Sequence, residues 1–257
     1  MQTYKIIVAY DGTDFHGWQH QPGDLTIQSV LKKSFEHAFG VPADILGASR
    51  TDSGVHALGA VARVKTELDL PENVLLQTWN RLLPKSILIR SLKTVRSDFH
   101  PFYNVAYKTY YYHLFLKRPL PFISRFGWYY NFIDLVDIQK FQAALNLYIG
   151  THDFASFCKQ DKDDTRLTVR TIDKIIVKKI NKFNMLRVEV TGKSFLRFQI
   201  RRMIGYALDL ARQDQLSLSY LEGLLKNPDH KQVLLKAQAC GLILRRVVYK
   251  NELNINK

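Results

Sequence analysis

Residues 47–56 read Gly-Ala-Ser-Arg-Thr-Asp-Ser-Gly-Val-His, a run of small and polar residues between two more apolar segments. Such residues favour turns, so we predict a loop here, with strands and helices on both sides of it. Upstream, the β-branched and aromatic residues 3–10 predict a buried strand, and Thr26 is placed to cap a helix that stops at Gly40. Downstream, residues 60–65 alternate in polarity as a strand does.

The remaining chain also contains strand patterns mixed with helix patterns. Further strands are predicted at residues 87–95, 105–116, 173–180, 185–191 and 242–249, and the pair at 173–191 reads as a hairpin. Further helices are predicted from Pro71 to Trp79, at 137–148 with Gly150 as the stop, at 195–213, and at 219–227 with Ser219 and Glu222 at capping-box spacing. The pattern predicts an α+β fold of two similar halves, residues 1–104 and 105–257, with mostly antiparallel sheets flanked by helices and a linker at 98–103.

Composition and charge narrow the class of protein. The 257 residues are 46% hydrophobic, which is typical of a globular protein with one large domain or two ordinary ones. Lys and Arg number 37 against 23 Asp and Glu, and the net charge of +14 indicates a polyanionic partner, above all a nucleic acid. A membrane surface is the weaker alternative, because no basic amphipathic segment stands apart from the folded pattern. We find neither an apolar run of about 18 residues nor a secretion signal, so we expect no spanning helix and no export.

Cysteine and histidine usage predicts a reduced, cytoplasmic protein without cofactor or metal. Cys158 and Cys240 lie far apart in sequence, so no disulfide framework is readable. His16 and His20 are at suggestive spacing, but they lie in a loop without the complete set of ligands that a metal site needs.

The loop at 47–56 carries the residues best suited to chemistry. Arg50 and Asp52 are two positions apart, so on an extended backbone they share a side, and a guanidinium keeps a nearby carboxylate ionised. An ionised carboxylate suits a nucleophile or an electrostatic stabiliser better than a general acid. The alternative is that Asp52 belongs to an ordinary turn and that Arg50 is a surface charge.

Three other segments combine aromatic and basic residues. On the strand at 105–116, Tyr110 and Tyr112 share one face, and with Lys108 and His113 they could stack a base beside a cation; the alternative is ordinary packing of tyrosine on a sheet.

On the helix predicted at 195–213, Arg197 and Arg201 would lie one turn apart, with Lys193 another turn back, and such a stripe matches a phosphate backbone or anchors a carboxylate. A solvated helix face is the alternative. In the loop after residue 10, Trp18 could stack on nucleic acid, or it could cap the core together with Phe15.

Taken together, these segments resemble the TruA-type tRNA pseudouridine synthases. The shared motifs run through nearly the whole chain in the same order: Tyr10-Asp-Gly-Thr-x-Phe-x-Gly-Trp-Gln19, Thr26-Ile-Gln28, Arg50-Thr-Asp-Ser-Gly-Val-His-Ala57, Asn80-x-Leu-Leu-Pro84, Asp98-Phe-His100, Lys108-x-Tyr-x-Tyr112, Gly150-x-His-Asp-Phe154, Val169-Arg-Thr-Ile172, Phe195-Leu-Arg197, Ile200-Arg201 with Gly205, and Gly241-Leu-x-Leu244 with Val247 and Tyr249. The departures are small. Ser49 and Ser53 stand where the family usually has Gly and Ala, and Arg197-Phe-Gln199 replaces a commoner version that contains His.

The resemblance implies a cofactor-free isomerase with its cleft between two halves. The expected reaction converts uridine to pseudouridine at positions 38, 39 and/or 40 of the anticodon stem-loop of tRNA, by a cytoplasmic homodimer. The competing hypothesis is a catalytically inactive tRNA-binding or tRNA-folding protein of the same fold. A hydrolase is disfavoured, because no second carboxylate lies in the motif.

The resemblance also implies residue roles. Asp52 would be the nucleophile, with Arg50 and Arg201 positioning it and keeping it ionised. Tyr110 would stack on the uracil and is the candidate for proton abstraction, while Leu242 would line the other side of the base. The further residues predicted to bind RNA are Lys108, Tyr112, Arg197, Lys193 and Trp18. Whether Asp52 attacks carbon 6 of uracil or carbon 1′ of ribose stays open.

Overall fold

Ten strands and five α-helices make up the residues that the computed structural model describes, which are 1–160, 167–229, 231–232 and 234–250. The strands are β1 (Gln2–Tyr10), β2 (Asp44–Gly47), β3 (His56–Thr66), β4 (Ile87–Thr94), β5 (Val105–Phe115), β6 (Trp128–Tyr129), β7 (Gly150–Asp153), β8 (Val169–Ile180), β9 (Met185–Gly192) and β10 (Leu242–Tyr249). The helices are α1 (Ile27–Phe39), α2 (Glu72–Leu82), α3 (Ile138–Asn146), α4 (Gln199–Arg212) and α5 (Leu218–Lys226). Mixed helices and largely antiparallel strand pairs confirm the predicted α+β class.

The chain divides into two units. The first contains Met1–Lys108 and the residues from Ile243 onward, and the second contains Thr109–Leu242. The sequence predicted a division after residue 104 and placed the last strand with the second half. In the structure β10 pairs in parallel with β3, with Ile243 opposite His56, and this pairing joins it to the first unit.

The first unit builds its sheet in the order β4, β1, β3, β10, with β2 added on β3. β1 confirms the strand predicted at residues 3–10 and lies antiparallel to both β3 and β4. The sequence predicted a buried strand, whereas from Tyr4 onward its buried residues alternate with half-buried ones. The first helix begins as predicted, because the Thr26 side chain accepts a hydrogen bond from the Ser29 amide. Gly40, with φ of 70°, closes it. The Phe35 ring of α1 meets the Trp79 ring of α2 edge-on at 4.9 Å between centroids.

The second unit orders its strands β5, β9, β8, β7, with β6 beside β5. The predicted hairpin is confirmed as β8 and β9, which pair antiparallel through eight residue pairs. Asn184, in the left-handed region with φ of 46°, precedes β9 at the turn of this hairpin. Val188 and Val190 are fully buried, and so are Ile204 and Leu208 on α4.

Several predicted boundaries need correction. α4 begins at Gln199 and not at residue 195, because Phe198 adopts φ of 64° and interrupts the helical backbone. α5 is capped by Ser217, whose hydroxyl accepts from the Tyr220 amide at 3.2 Å, so the proposed capping box at residue 219 does not form. The short strands β2, β6 and β7 carried no prediction. Over the described ranges, none of the helices is long and apolar enough to cross a membrane.

Candidate active site

The loop that carries Asp52 connects β2 to β3, and hydrogen bonds hold it on both sides of this residue. Before Asp52, the Thr51 carbonyl accepts from the Trp18 amide at 3.1 Å, and the Thr51 hydroxyl is 2.8 Å from the Tyr10 hydroxyl. After it, the Ser53 hydroxyl donates to the Phe15 carbonyl at 3.2 Å. Asp52 itself is half-buried. The loop after β1 therefore fixes the backbone around a carboxylate that keeps some exposure.

Two glycines allow the loop after β1 to lie close to the loop that carries Asp52. A Cβ on Gly17, which has φ of 89°, would lie 2.7 Å from the Thr51 carbonyl oxygen and 3.1 Å from the Asp52 carbonyl carbon. A Cβ on Gly12 would collide with the Val55 carbonyl. The Gly12 amide instead donates to Nδ1 of buried His56 at 3.1 Å. These contacts explain why glycines occur in the motif after residue 10, a role that the sequence alone did not indicate.

Trp18 lies in the core of the first unit. Its side chain is only 1% exposed, and its indole packs on Gly47, where any Cβ would collide with the ring. This burial favours the alternative, that Trp18 and buried Phe15 cap the core, and RNA binding by Trp18 stays a prediction. What Trp18 contributes to the site is its backbone amide, which holds the Thr51 carbonyl.

Lys108 lies on β5 and reaches the start of the same loop. Its Nζ donates to the Ala48 carbonyl at 2.7 Å, and the Ala48 amide donates to the Val61 carbonyl on β3 at 2.8 Å. Burial lowers the pKa of Lys108 to about 8. Lys108 is thus a contact of the loop that carries Arg50 and Asp52. Arg50 itself is exposed.

In the second unit, the predicted tyrosines on β5 are buried to different depths. Tyr110 is nearly buried and packs edge-on against Phe195, with 5.2 Å between ring centroids. Tyr112 is completely buried, donates its hydroxyl to the Gln238 carbonyl at 2.9 Å and packs against Gly241. Burial raises its pKa well above the ordinary value, so the phenol stays neutral. Tyr112 thus supports the backbone just before buried Leu242, and its contact with substrate stays a prediction.

Arg201 is buried on α4 and tied to the chain that follows α5. Its Nε donates to the Ala237 carbonyl at 2.8 Å, and the Ala237 amide donates back to the Arg201 carbonyl at 3.0 Å. The two segments approach closely at Gly205, where a Cβ would collide with the Leu235 carbonyl. The guanidinium of Arg201 is thus held in one orientation.

The predicted helical stripe of Lys193, Arg197 and Arg201 does not exist. Lys193 and Arg197 precede α4 and are exposed, because the helix begins only at Gln199. The structure nevertheless brings Arg197 and Arg201 together by another route, since both guanidinium groups lie over the Phe198 ring.

The predicted residues are thus distributed over the two units. Trp18, Arg50, Asp52 and Lys108 belong to the first unit, and Tyr110, Tyr112, Lys193, Arg197, Arg201 and Leu242 to the second. The cleft between the halves stays a prediction.

The chain belongs to the tRNA pseudouridine synthase family, whose sequence model matches residues 6–104 and 144–250. Two similar relatives are each named tRNA pseudouridine synthase A, and each is covered over its full length by 97% of this chain. The relative from Clostridium kluyveri is 34% identical over 249 residues, and that from Thermodesulfovibrio yellowstonii is 31% identical over 259 residues. A solved chain from a Cbf5-Nop10-Gar1 complex is 12% identical, with a TM-score of 0.35 over 79% of this chain and 54% of that chain. The resemblance predicted from the motifs is therefore confirmed, and with it membership of a family of isomerases.

Proposed function

We propose that this chain isomerises uridine to pseudouridine at position 38, 39 and/or 40 in the anticodon stem-loop of tRNA, with Asp52 as the nucleophile. The observation that carries the proposal is the loop around Asp52, whose neighbours Thr51 and Ser53 are both fixed by hydrogen bonds to the loop after β1. Fixed geometry is what a nucleophile needs to reach one atom of a bound substrate. Family membership supports the reaction, and the names of the relatives support tRNA as the substrate.

The reaction moves a glycosidic bond within one nucleotide. The bond between N1 of uracil and C1′ of ribose breaks, and a bond between C5 and C1′ forms. C5 releases its hydrogen as a proton and N1 gains one, so the atoms balance without an oxidant or a reductant. Asp52 is the one carboxylate in residues 47–57 and would form the transient covalent bond.

The other predicted residues have roles that their surroundings support. Arg50 and Arg201 would hold Asp52 ionised and oriented, and the bond from Arg201 Nε to Ala237 fixes the plane of that guanidinium. Tyr110 would stack on the uracil and accept the C5 proton, and apolar Leu242 would cover the other face of the base. A target base inside the stem must be flipped out, and unstacking it costs a few kcal/mol.

The tRNA would be held mainly through its backbone. The net charge of +14 suits a partner whose phosphates are read by lysine and arginine. We propose that the protein is a homodimer, because a second copy extends the basic surface available to a tRNA. We propose that it acts in the cytoplasm.

The test measures release of tritium from tRNA that carries uridine labelled at carbon 5. Wild type should release tritium, and Asp52→Asn should not, while binding tRNA with unchanged affinity. Asp14→Asn, an exposed aspartate on the neighbouring loop, is the matched control and should react as wild type does. Salt-sensitive tRNA binding without release by wild type would favour the inactive tRNA-binding protein. Release by Asp52→Asn would remove Asp52 from the role of nucleophile.

A further inference from the structure

Gln28 lies in the first turn of α1 and is almost completely buried in the first unit. Both ends of its side-chain amide are used. Oε1 accepts hydrogen bonds from the His20 amide at 2.8 Å and from Nε2 of Gln19 at 2.9 Å, and Nε2 donates to the Ile45 carbonyl at 2.6 Å. One side chain therefore ties the loop after β1 to β2, the strand that leads into the loop with Asp52.

The backbone of the same helical turn also holds the loop after β1. The first amides of an α-helix have no partner within the helix and need acceptors elsewhere. The Gln28 amide, in the first turn of α1, donates to the Trp18 carbonyl at 3.0 Å, and the Trp18 amide donates to the Thr51 carbonyl at 3.1 Å. Two hydrogen bonds through Trp18 thus connect Gln28 to the residue before Asp52.

The contacts of the Gln28 side chain require an amide. The His20 amide is a donor and the Ile45 carbonyl is an acceptor, and glutamine offers an acceptor and a donor from one group. An apolar side chain of similar size would lose both contacts. The sequence indicated no such role, because the two backbone partners lie 8 and 17 residues away along the chain.

We propose that Gln28 is a positioning residue for the reaction, which fixes the loop after β1 against β2 and so holds the backbone on which Asp52 lies. The proposal rests on the proposed function, since it takes Asp52 to be the nucleophile. Because Gln28 is buried, it acts through Trp18 and Thr51 and not through contact with the substrate. Displacement of a nucleophile slows the chemical step while substrate contacts elsewhere stay in place. Loss of the Gln28 amide should therefore lower kcat and leave the KM for tRNA unchanged.

The first test compares Gln28→Met with a matched variant of a second amide. Asn80 on α2 is the control, because its side chain accepts from the Ile89 amide at 2.9 Å and donates to the Ile89 carbonyl at 2.8 Å. Asn80→Leu and Gln28→Met should both lower Tm. In single-turnover tritium release well below both Tm values, Gln28→Met should react at least about tenfold more slowly than wild type. Asn80→Leu should react at the wild-type rate.

The second test follows the backbone and does not depend on activity. The Trp18 amide is bonded to the Thr51 carbonyl, so its hydrogen exchange reports whether the two loops stay together. Gln28→Met should speed the exchange of this amide several-fold. Asn80→Leu should leave it close to the wild-type rate.

The proposal is overturned if Gln28→Met and Asn80→Leu lose the same fraction of the single-turnover rate, if Gln28→Met changes only the KM, or if it leaves exchange of the Trp18 amide as in wild type. Each of these results leaves tritium release by wild type intact, so the proposed function would stand. Absence of tritium release from wild type would instead overturn the proposed function, and exchange of the Trp18 amide would still decide whether Gln28 holds the loop.

Discussion

At the scale of single residues, the position of Asp52 depends on Gly17. A methyl group there would press on the Thr51 carbonyl, which the Trp18 amide now holds. We expect Gly17→Ala to lower kcat by at least tenfold, because displacement of a nucleophile by about 1 Å can cost a hundredfold. Gly23→Ala is the matched control, since Gly23 has φ of 82° but a methyl group added there would have no atom within 4 Å. Both variants carry about 1–2 kcal/mol of backbone strain. Equal kcat values in single-turnover assays of the two variants would show that the contact with Thr51 is unimportant.

Lys108 should give the stability of the protein a dependence on alkaline pH. Its pKa is lowered by burial from 10.5 to about 8. Between these values the unfolded chain keeps a proton that the folded chain has released. The contribution of Lys108 to the free energy of unfolding of wild type therefore rises as pH rises from about 8 to 10.5. Lys108→Met lacks this contribution, so its Tm relative to wild type should fall as pH rises from about 7 to about 10.

Lys85→Met, at an exposed position, controls for the loss of one positive charge. A difference in Tm between Lys108→Met and wild type that is the same at both pH values would show that Lys108 titrates normally in the fold.

The sequence motifs identified the family better than they identified the surroundings of single residues. The Arg50 to Ala57 motif led to the family, whereas Trp18 and Tyr112 were expected to contact RNA and are buried. A motif records that a residue is needed but not whether its ring or its backbone is needed. Trp18 contributes an amide to the loop, and Tyr112 contributes a hydrogen bond to Gln238.

At the scale of elements, helix starts were predictable where a side chain caps the helix. Thr26 was expected to cap α1 and does so, because its hydroxyl has a local partner three residues ahead. We expect Thr26→Ala to lower the free energy of unfolding by about 1 kcal/mol, and Thr26→Ser to leave it within a few tenths. Urea denaturation of the three proteins measures both values. A loss as large in Thr26→Ser would trace the effect to the missing methyl group and not to the cap.

The start of α4 was not predictable from local pattern. Residues 195–198 contain neither glycine nor proline, so nothing in them predicts a break, and periodicity extends the helix through them. The break comes from the left-handed Phe198 and from a tight turn in which the Gln199 amide donates to the Leu196 carbonyl at 3.2 Å. Helical spacing predicted that Arg197 and Arg201 lie on one stripe of a helix. Both guanidinium groups do lie over the Phe198 ring, but Arg197 precedes the helix.

At the scale of the whole molecule, the sequence predicted the order of the main elements but not the place of β10. Its parallel pairing with β3 joins segments that are far apart in the chain, and alternation within a strand carries no information about its partner. Leu244, opposite Ala57, is completely buried in this pairing. We expect Leu244→Asp to abolish hydrogen-exchange protection in β1 and β3, because a carboxylate is then buried without a partner.

In the same variant, the hairpin of β8 and β9 in the second unit should keep more of its protection. Arg246→Asp, at an exposed position of the same strand, should leave protection in both units unchanged. Uniform loss of protection throughout the Leu244→Asp chain would mean that the two units unfold as one.

The membership of β10 also has a consequence for biosynthesis. The second unit is inserted whole between two parts of the first, so its residues are all translated before the first unit receives β10, which pairs with β3. Nascent domains ordinarily fold in the order in which the ribosome makes them. Here the first unit cannot complete its sheet until the whole second unit has been translated.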